Sequence, residues 1–277
     1  MEKSRLDILM LEKGLVESRA VAQRLIMAGE VRVNGQVVLK ASSKFEPHVE
    51  VSINQPPRFV SRGGEKLLAA LEAFQRTELA GKVCADVGSS TGGFTDCLLQ
   101  HGAARVYAID VGYGIMHWKL RNDPRVVMME RTNARNVSGF PEPISLVTID
   151  ASFISLRIIL PVVKAWFGSG AGEVIALIKP QFEAGKADAA RGDGVIRDPE
   201  IHRSVLERVL RFAQDEGFEI AGLIRSPLLG PKGNTEFLVH LFLPGKGQHD
   251  INEFIAPLFA GEQNERSLSL VVERKAA

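Results

Sequence analysis

The sequence predicts an α/β protein in which a doubly wound, largely parallel sheet follows a small α+β module. Three observations predict it. Beyond residue 61, short apolar runs alternate with amphipathic stretches of helical period, as strands joined by crossover helices do. In the first of these units a Gly-rich turn, VGSSTGG, joins a buried strand to a helix. Before residue 60 the pattern differs, with two short helices and a VRVNGQVV hairpin. The 277 residues allow one large or two unequal domains at ~150 residues per domain.

The composition is that of an ordinary globular protein, with 34 Lys plus Arg against 33 Asp plus Glu and 45% apolar residues. Disorder and a mini-protein are excluded. The longest apolar region, Ile144 to Phe167, is interrupted by Asp150, Arg157 and Lys164, so no stretch approaches the ~20 apolar residues of a membrane span. The N-terminal apolar run, Ile8 to Leu11, is too short for a signal-peptide core, and a cytoplasmic location is expected. Cys84 and Cys97 fit that reducing compartment. Neither has metal-ligand spacing, so both are expected as buried thiols and no metal is expected.

In the first module, Leu6, Leu9, Met10 and Lys13 set a short helix that stops at Gly14. Ser18 caps a second, Arg19 to Ala28, with Ala22, Leu25 and Ile26 on one face. Alternating apolar residues around Asn34-Gly35, a type I′ pair, predict the hairpin, and Val49 to Ile53 supplies another strand. Between Arg19 and Lys44 five cations face one anion, Glu30, inside a chain of formal net charge +1. The patterns RLDxxL and GLxxSRxxAxxLIxxGxVxVNG, from Arg5 to Gly35, resemble the S4-like RNA-binding domain. That resemblance implies RNA contacts from Arg5, Arg19, Arg24, Arg32, Lys40 and Lys44, cations on a rigid surface that can track phosphates.

Gln55-Pro56-Pro57 ends the module, with Arg58 to Ser61 as a linker. The expected domains are residues 1–60, 61–245 and a tail, 246–277, with no functional reading. The second domain is expected to run through helix Lys66 to Phe74, strand Val83 to Val87, helix Phe94 to Gln100, and strands Val106 to Ile109, Val126 to Met129 and Leu146 to Ile149. Helix Ile154 to Ala165, which Pro161 should kink or shorten, leads to strand Val174 to Ile178 and helix Glu200 to Asp215. The last two strands, Glu219 to Arg225 and Phe237 to Leu243, have no helix between them and predict an antiparallel pair at one edge. The combination is similar to the Rossmann-like sheet of the class I methyltransferases.

The Gly-rich turn narrows the ligand. Its spacing, Gly88-x-x-x-Gly92-Gly93, places Ser90 where a dinucleotide fold needs its second glycine, and no Lys-Ser/Thr pair follows as a P-loop requires. Asp86, two residues ahead, suits a cationic ligand such as S-adenosylmethionine. Asp110 ends the next strand, where a carboxylate accepts ribose hydroxyls, and Asn133 is placed for the adenine. The expected cofactor contacts are therefore Asp86, Gly88, Ser89, Ser90, Gly92, Gly93, Phe94, Asp110, Asn133 and Asp150. His117 and Trp118 could flank the adenine, and residues 183–197 resemble a mobile lid or a plain solvent loop.

Four ionisable residues fall at strand or helix ends beside this turn: Lys66, Asp150, Lys179 and Glu236. Charges are costly within strands but can cluster in a crevice at their ends. The segments SRGGEKL, DVGSSTGGFTD, IDASFISL, IKPQFEAG and GNTEF, behind an S4-like domain, resemble the haemolysin A (TlyA-type) family of ribosomal RNA 2′-O-methyltransferases, with an FtsJ-like catalytic domain. The resemblance covers residues 5 to about 243 and implies that these four form the catalytic tetrad.

A ribose hydroxyl must lose its proton as it attacks a methyl group. A lysine of ordinary pKa, about 10.4, is protonated, but a nearby cation and desolvation favour the neutral amine. Lys179 is expected as the base, with Lys66 assisting it or stabilising the alkoxide, and Asp150 and Glu236 orienting the lysines and the ribose. The expected function is S-adenosylmethionine-dependent 2′-O-methylation of ribosomal RNA. A non-catalytic RNA-binding or assembly protein is the first alternative, and a membrane-lytic haemolysin the last.

Overall fold

The computed structural model describes residues 3–53, 57–185, 194–245, 247 and 249–260. The chain divides into two compact units, Met1–Arg58 and Phe59–Ala277.

In the first unit, β1 (Ser4–Arg5) leads into α1 (Leu6–Glu12), and α2 (Arg19–Met27) is followed by β2 (Val31–Val33), β3 (Gln36–Val37), β4 (Lys44–Phe45) and β5 (Val51–Ile53). Leu6 and Met10 on α1 and Ala22 and Ile26 on α2 are four apart, so each pair shares a helix face, and together with Val31 and Val33 they form the core. Ser18 Oγ accepts from Val21 N at 3.3 Å and starts α2. Asn34 and Gly35, at φ +50° and +80°, turn β2 into β3, while β5 pairs with the other edge of β2. A two-residue ladder between β1 and β4, which no sequence pattern announces, closes the module.

The second unit is built on seven strands: β6 (Val83–Val87), β7 (Arg105–Ile109), β8 (Val126–Met129), β9 (Leu146–Ile149), β10 (Gly172–Ile178), β11 (Glu219–Arg225) and β12 (Phe237–Leu243). Their order across the sheet is β11-β12-β10-β9-β6-β7-β8. The five from β10 to β8 are parallel, and β12 runs antiparallel to both β10 and β11, so the expected late pair occupies one edge. The central strands are covered on both faces and read as nearly unbroken apolar runs, as in β9, where all four residues are buried.

One face carries α3 (Gly63–Ala73), α4 (Gly93–Gln100) and α5 (Trp118–Arg121), through residues such as Leu67, Leu71, Leu98 and Leu120. The other carries α6 (Leu156–Trp166), α8 (Pro199–Asp215) and α9 (Ile251–Phe259), through Leu160, Val205 and Ile255 among others. A short α7 (Pro180–Glu183) follows β10.

The structure corrects several expectations. Helix α6 runs through Pro161 and starts two residues late, because Ser155 Oγ caps Arg157 N at 3.2 Å and Glu183 Oε1 accepts from Leu156 N at 2.6 Å. Glu183 is therefore a buried anchor rather than part of a lid; residues 186–193 of that expected lid lie outside the described residues. Residues 58–61 are not a bare linker: Phe59 is buried, and Val60 N donates to Asp96 Oδ2 at 2.9 Å on α4. The expected tail contains α9, capped by Asp250, whose Ile251, Ile255 and Phe259 repeat every four residues and join the core. Residues 246, 248 and 261–277 lie outside the described residues.

Candidate functional site

Strand order reverses at β6, whose neighbours β7 and β9 lead to helices on opposite faces, and at such a switch point a crevice opens at the carboxyl ends of the strands. Two adjoining clefts lie there, about 320 and 480 Å³ in volume, sharing Gly88, Ser90, Asp150 and Ser152.

The smaller cleft gathers Lys66 from α3, Asp150 from the end of β9, Lys179 from the end of β10 and Glu236 from the residue before β12. They stand as two ion pairs. Lys66 Nζ donates to Glu236 Oε2 at 2.5 Å. Lys179 Nζ lies 2.6 Å from Asp150 Oδ1 and donates to Ser152 Oγ at 3.0 Å. Lys66, Lys179 and Glu236 are buried, and the Asp150 side chain is 24% exposed. Burial of such charges is tolerated only when each has an opposite partner.

The turn between β6 and α4 forms the floor shared by the clefts. Gly88 has φ +80°, and a Cβ there would lie 2.6 Å from the Asp150 carbonyl oxygen. Ser89 is buried and lines the smaller cleft with Gly93 and Phe94, while Phe94 also packs into the core with Leu98. Gly92 lines neither cleft; at φ +97° it caps α4 against Leu120.

Asp110 and Asn133 stand in the larger cleft. Ser90 N and Gly112 N donate to Asp110 Oδ2 at 2.8 Å and Oδ1 at 2.7 Å, which fixes the carboxylate while each oxygen keeps acceptor capacity. Asn133 Oδ1 accepts from Arg135 N at 3.1 Å, which leaves its amide donors for a ligand. Val111, Ile115, Ala134 and Ile154 make apolar walls. The trough thus offers apolar walls for a flat base, a fixed carboxylate for a ribose diol and an open path to Asp150, so these residues fit S-adenosylmethionine. Among the described residues no group of three His, Cys, Asp or Glu side chains could hold a metal ion.

Asp86 is not in the wall of either cleft. It is fully buried, and its carboxylate accepts from Thr95 Oγ1 at 2.6 Å and Thr148 Oγ1 at 2.9 Å. Burial pushes its pKa up to about 6, against the lowering effect of the two hydroxyls. Asp86, expected to face a cationic ligand directly, instead lies beneath the cleft walls and braces the strand under the turn. Nor do His117 and Trp118 flank the larger cleft, since His117 caps α5 by accepting from Lys119 N and Trp118 is 70% exposed.

Comparison with known proteins decides the family. The FtsJ-like methyltransferase family matches residues 59–242, and the S4 domain family matches residues 4–51. The chain belongs to the TlyA-type FtsJ-like methyltransferases. It is 43% identical over 245 residues to the 16S/23S rRNA (cytidine-2′-O)-methyltransferase TlyA of Mycobacterium tuberculosis, covering 86% of this chain and 90% of that one. Hemolysin A of Brachyspira hyodysenteriae is 40% identical over 249 residues, covering 86% and 100%. A solved structure of a hemolysin-like protein from Streptococcus thermophilus superposes with a TM-score of 0.69 at 42% identity, covering 96% of this chain and 99% of that one. Among the described residues, no helix of this FtsJ-like methyltransferase is long and apolar enough to cross a membrane.

In the S4 domain, Arg24, Arg32, Lys40 and Lys44 are exposed, and Arg32 also donates to Gly35 O at 3.0 Å. Arg5 and Arg19 are both paired with Asp7. In the FtsJ-like domain, sequence reasoning missed Ser152, the hydroxyl on Lys179, and Phe153, 90% exposed at φ +63° with its ring 4.9 Å from that of Phe182. The only sequence signal for Phe153 is an aromatic residue between a strand end and a helix cap, outside any apolar period.

Proposed function

We propose that this FtsJ-like methyltransferase methylates a ribose 2′-hydroxyl of ribosomal RNA, with S-adenosylmethionine as donor, the unit Met1–Arg58 as the RNA-binding module and the unit that begins at Phe59 as the catalytic domain. The observation that carries the reading is the convergence of Lys66, Asp150, Lys179 and Glu236 on one cleft that opens into the cleft of Asp110 and Asn133. The Mycobacterium relative, a 16S/23S rRNA (cytidine-2′-O)-methyltransferase, supports the same substrate class.

Bound S-adenosylmethionine supplies an electrophilic methyl group. Asp110 and Asn133 hold its ribose and adenine, and Asp150 and the Gly88 turn receive its methionine end. Lys179 Nζ is the group placed to take the hydroxyl proton as the oxygen–methyl bond forms and the methyl–sulfur bond of the donor would break, a contribution of about 10² to 10⁴ in rate. Asp150 and Ser152 hold that amine in place. Lys66 offers its charge to the developing alkoxide, and Glu236 keeps Lys66 aimed into the cleft. The exposed ring of Phe153 at the cleft mouth gives an unstacked base a face to stack on.

The test is to incubate the protein with methyl-labelled cofactor and separated ribosomal subunits, then map 2′-O-methylation on the RNA. Label at a ribose in one or both subunits is expected. No incorporation into either, with cofactor binding intact, overturns the reading in favour of a non-catalytic RNA-binding protein.

A further inference from the structure

The most deeply buried charge of the first unit lies under its cationic surface. Asp7, the second residue of α1, has no exposed side-chain surface. Four donors converge on its carboxylate: Arg5 Nε on Oδ1 at 3.0 Å, and Arg5 Nη2, Arg19 Nη2 and Gln23 Nε2 on Oδ2 at 3.1, 3.0 and 2.8 Å. A carboxylate so placed closes α1 onto α2. Two features say more. A single buried oxygen holds two guanidinium groups side by side, although these cations repel each other in water. Moreover, the anion is covered while the cations are not, since the Arg5 and Arg19 side chains are 38% and 51% exposed. An approaching anion meets two neighbouring guanidinium edges, while the carboxylate that holds them is covered.

A guanidinium has five N–H donors in a rigid fork, and Asp7 uses two of those of Arg5 and one of Arg19. The remaining donors suit phosphate oxygens, which arginine binds in paired hydrogen bonds. Holding both side chains in one geometry beforehand removes the rotamer entropy that free arginines would lose on binding.

We infer that Asp7 is a positioning residue for RNA, which holds Arg5 and Arg19 together as a clamp for backbone phosphate. The inference rests on the reading of ribosomal RNA as substrate and adds to it an acid that strengthens binding to a polyanion. Bulk electrostatics gives the opposite sign, because removing an acid near a phosphate-binding surface raises the local positive charge.

The test measures binding of the full-length protein to unmodified ribosomal RNA over a range of salt, with kcat and KM for methyl transfer on the same RNA, for wild type, Asp7→Asn, and the Arg5→Ala Arg19→Ala double variant. Asp7→Asn is expected to weaken binding about 10-fold, to flatten the slope of log affinity against log salt by about 1, and to raise KM with kcat unchanged. In the double-alanine background Asp7→Asn is expected to add nothing. Wild-type or tighter binding by Asp7→Asn overturns the inference, and so does wild-type binding by the double-alanine variant. Should Asp7→Asn show no cooperative melting, Arg5→Lys Arg19→Lys decides: charge is kept and the forks are lost, so binding should weaken several-fold, and unchanged affinity overturns the clamp. Absence of salt-dependent binding by the wild type would overturn the ribosomal RNA reading itself, a result distinct from failure of the clamp alone.

Discussion

Lys66 and Glu236 are 170 positions apart in the chain, yet Nζ of one meets Oε2 of the other at 2.5 Å, with both side chains buried. The pair ties the helix before the first parallel strand to the loop that enters the antiparallel edge, so it joins both ends of the second unit's fold across the cleft.

Removing one member strands a buried charge, which typically costs ~3–5 kcal/mol, whereas replacing both by apolar residues is often neutral. Glu236→Ala is therefore expected to lower both the melting temperature and methyl transfer. Lys66→Met Glu236→Leu is expected to recover most of the stability and none of the activity. Thermal melts beside initial rates check this, and a double variant with normal turnover would remove Lys66 from the proposed chemistry.

Lys179→Ala is expected to reduce methyl transfer by about 10² to 10⁴. Cofactor affinity, measured by calorimetry, should stay near that of the wild type, since Lys179 lines the smaller cleft but not the larger one. A tenfold loss of affinity would mean that Lys179 holds the cofactor instead.

Gly88 and Gly92 both have positive φ, but alanine meets different obstacles at the two positions. At Gly88 the new Cβ falls 2.6 Å from the backbone oxygen of Asp150; at Gly92 it falls 2.2 Å from Leu120 Cδ1, the end of a flexible side chain. Gly88→Ala is expected to be the more damaging to activity, because backbone bearing Asp150 must move. Comparable melting temperatures with a larger loss of turnover in Gly88→Ala are the expected result.

Asp86 makes stability depend on pH. Its carboxyl is pushed up to about 6 in the fold, against about 3.9 in an unfolded chain. Below about pH 4 both states are protonated and nothing is lost. Between about 4 and 6 only the unfolded chain ionises, so stability falls as pH rises, by on the order of 3 kcal/mol in total. Urea unfolding of wild type and Asp86→Asn at pH 4, 5, 6 and 7 should show the variant gaining on the wild type up to about pH 6. A difference that stays flat across that range contradicts this origin.

The elements whose causes are local were legible in the sequence. Asn34-Gly35 specifies its turn because these two residues tolerate positive φ, and Ser18 marks a helix start because its hydroxyl reaches an amide three residues on. The apolar runs of β6, β7, β9 and β10 show strands buried on both faces. Less legible were α9, whose Ile251, Ile255 and Phe259 period is short and holds Pro257, and the true place of residues 58–61, which depends on Asp96 36 residues away from Val60.

By itself, then, the sequence determined the α/β pattern, the Gly-rich turn and the set of charged residues delivered to strand ends, because periodicity and turn chemistry act over a few residues. Only the tertiary structure decided how those charges are used. It paired Lys66 with Glu236 and Lys179 with Asp150, set Asp86 beneath the clefts on two threonine hydroxyls, and bound Arg5 and Arg19 to Asp7. Such pairings follow from where β12 enters between β10 and β11 and from how α1 meets α2, contacts between distant segments that exclude water and leave each buried charge only the partners those segments bring to it.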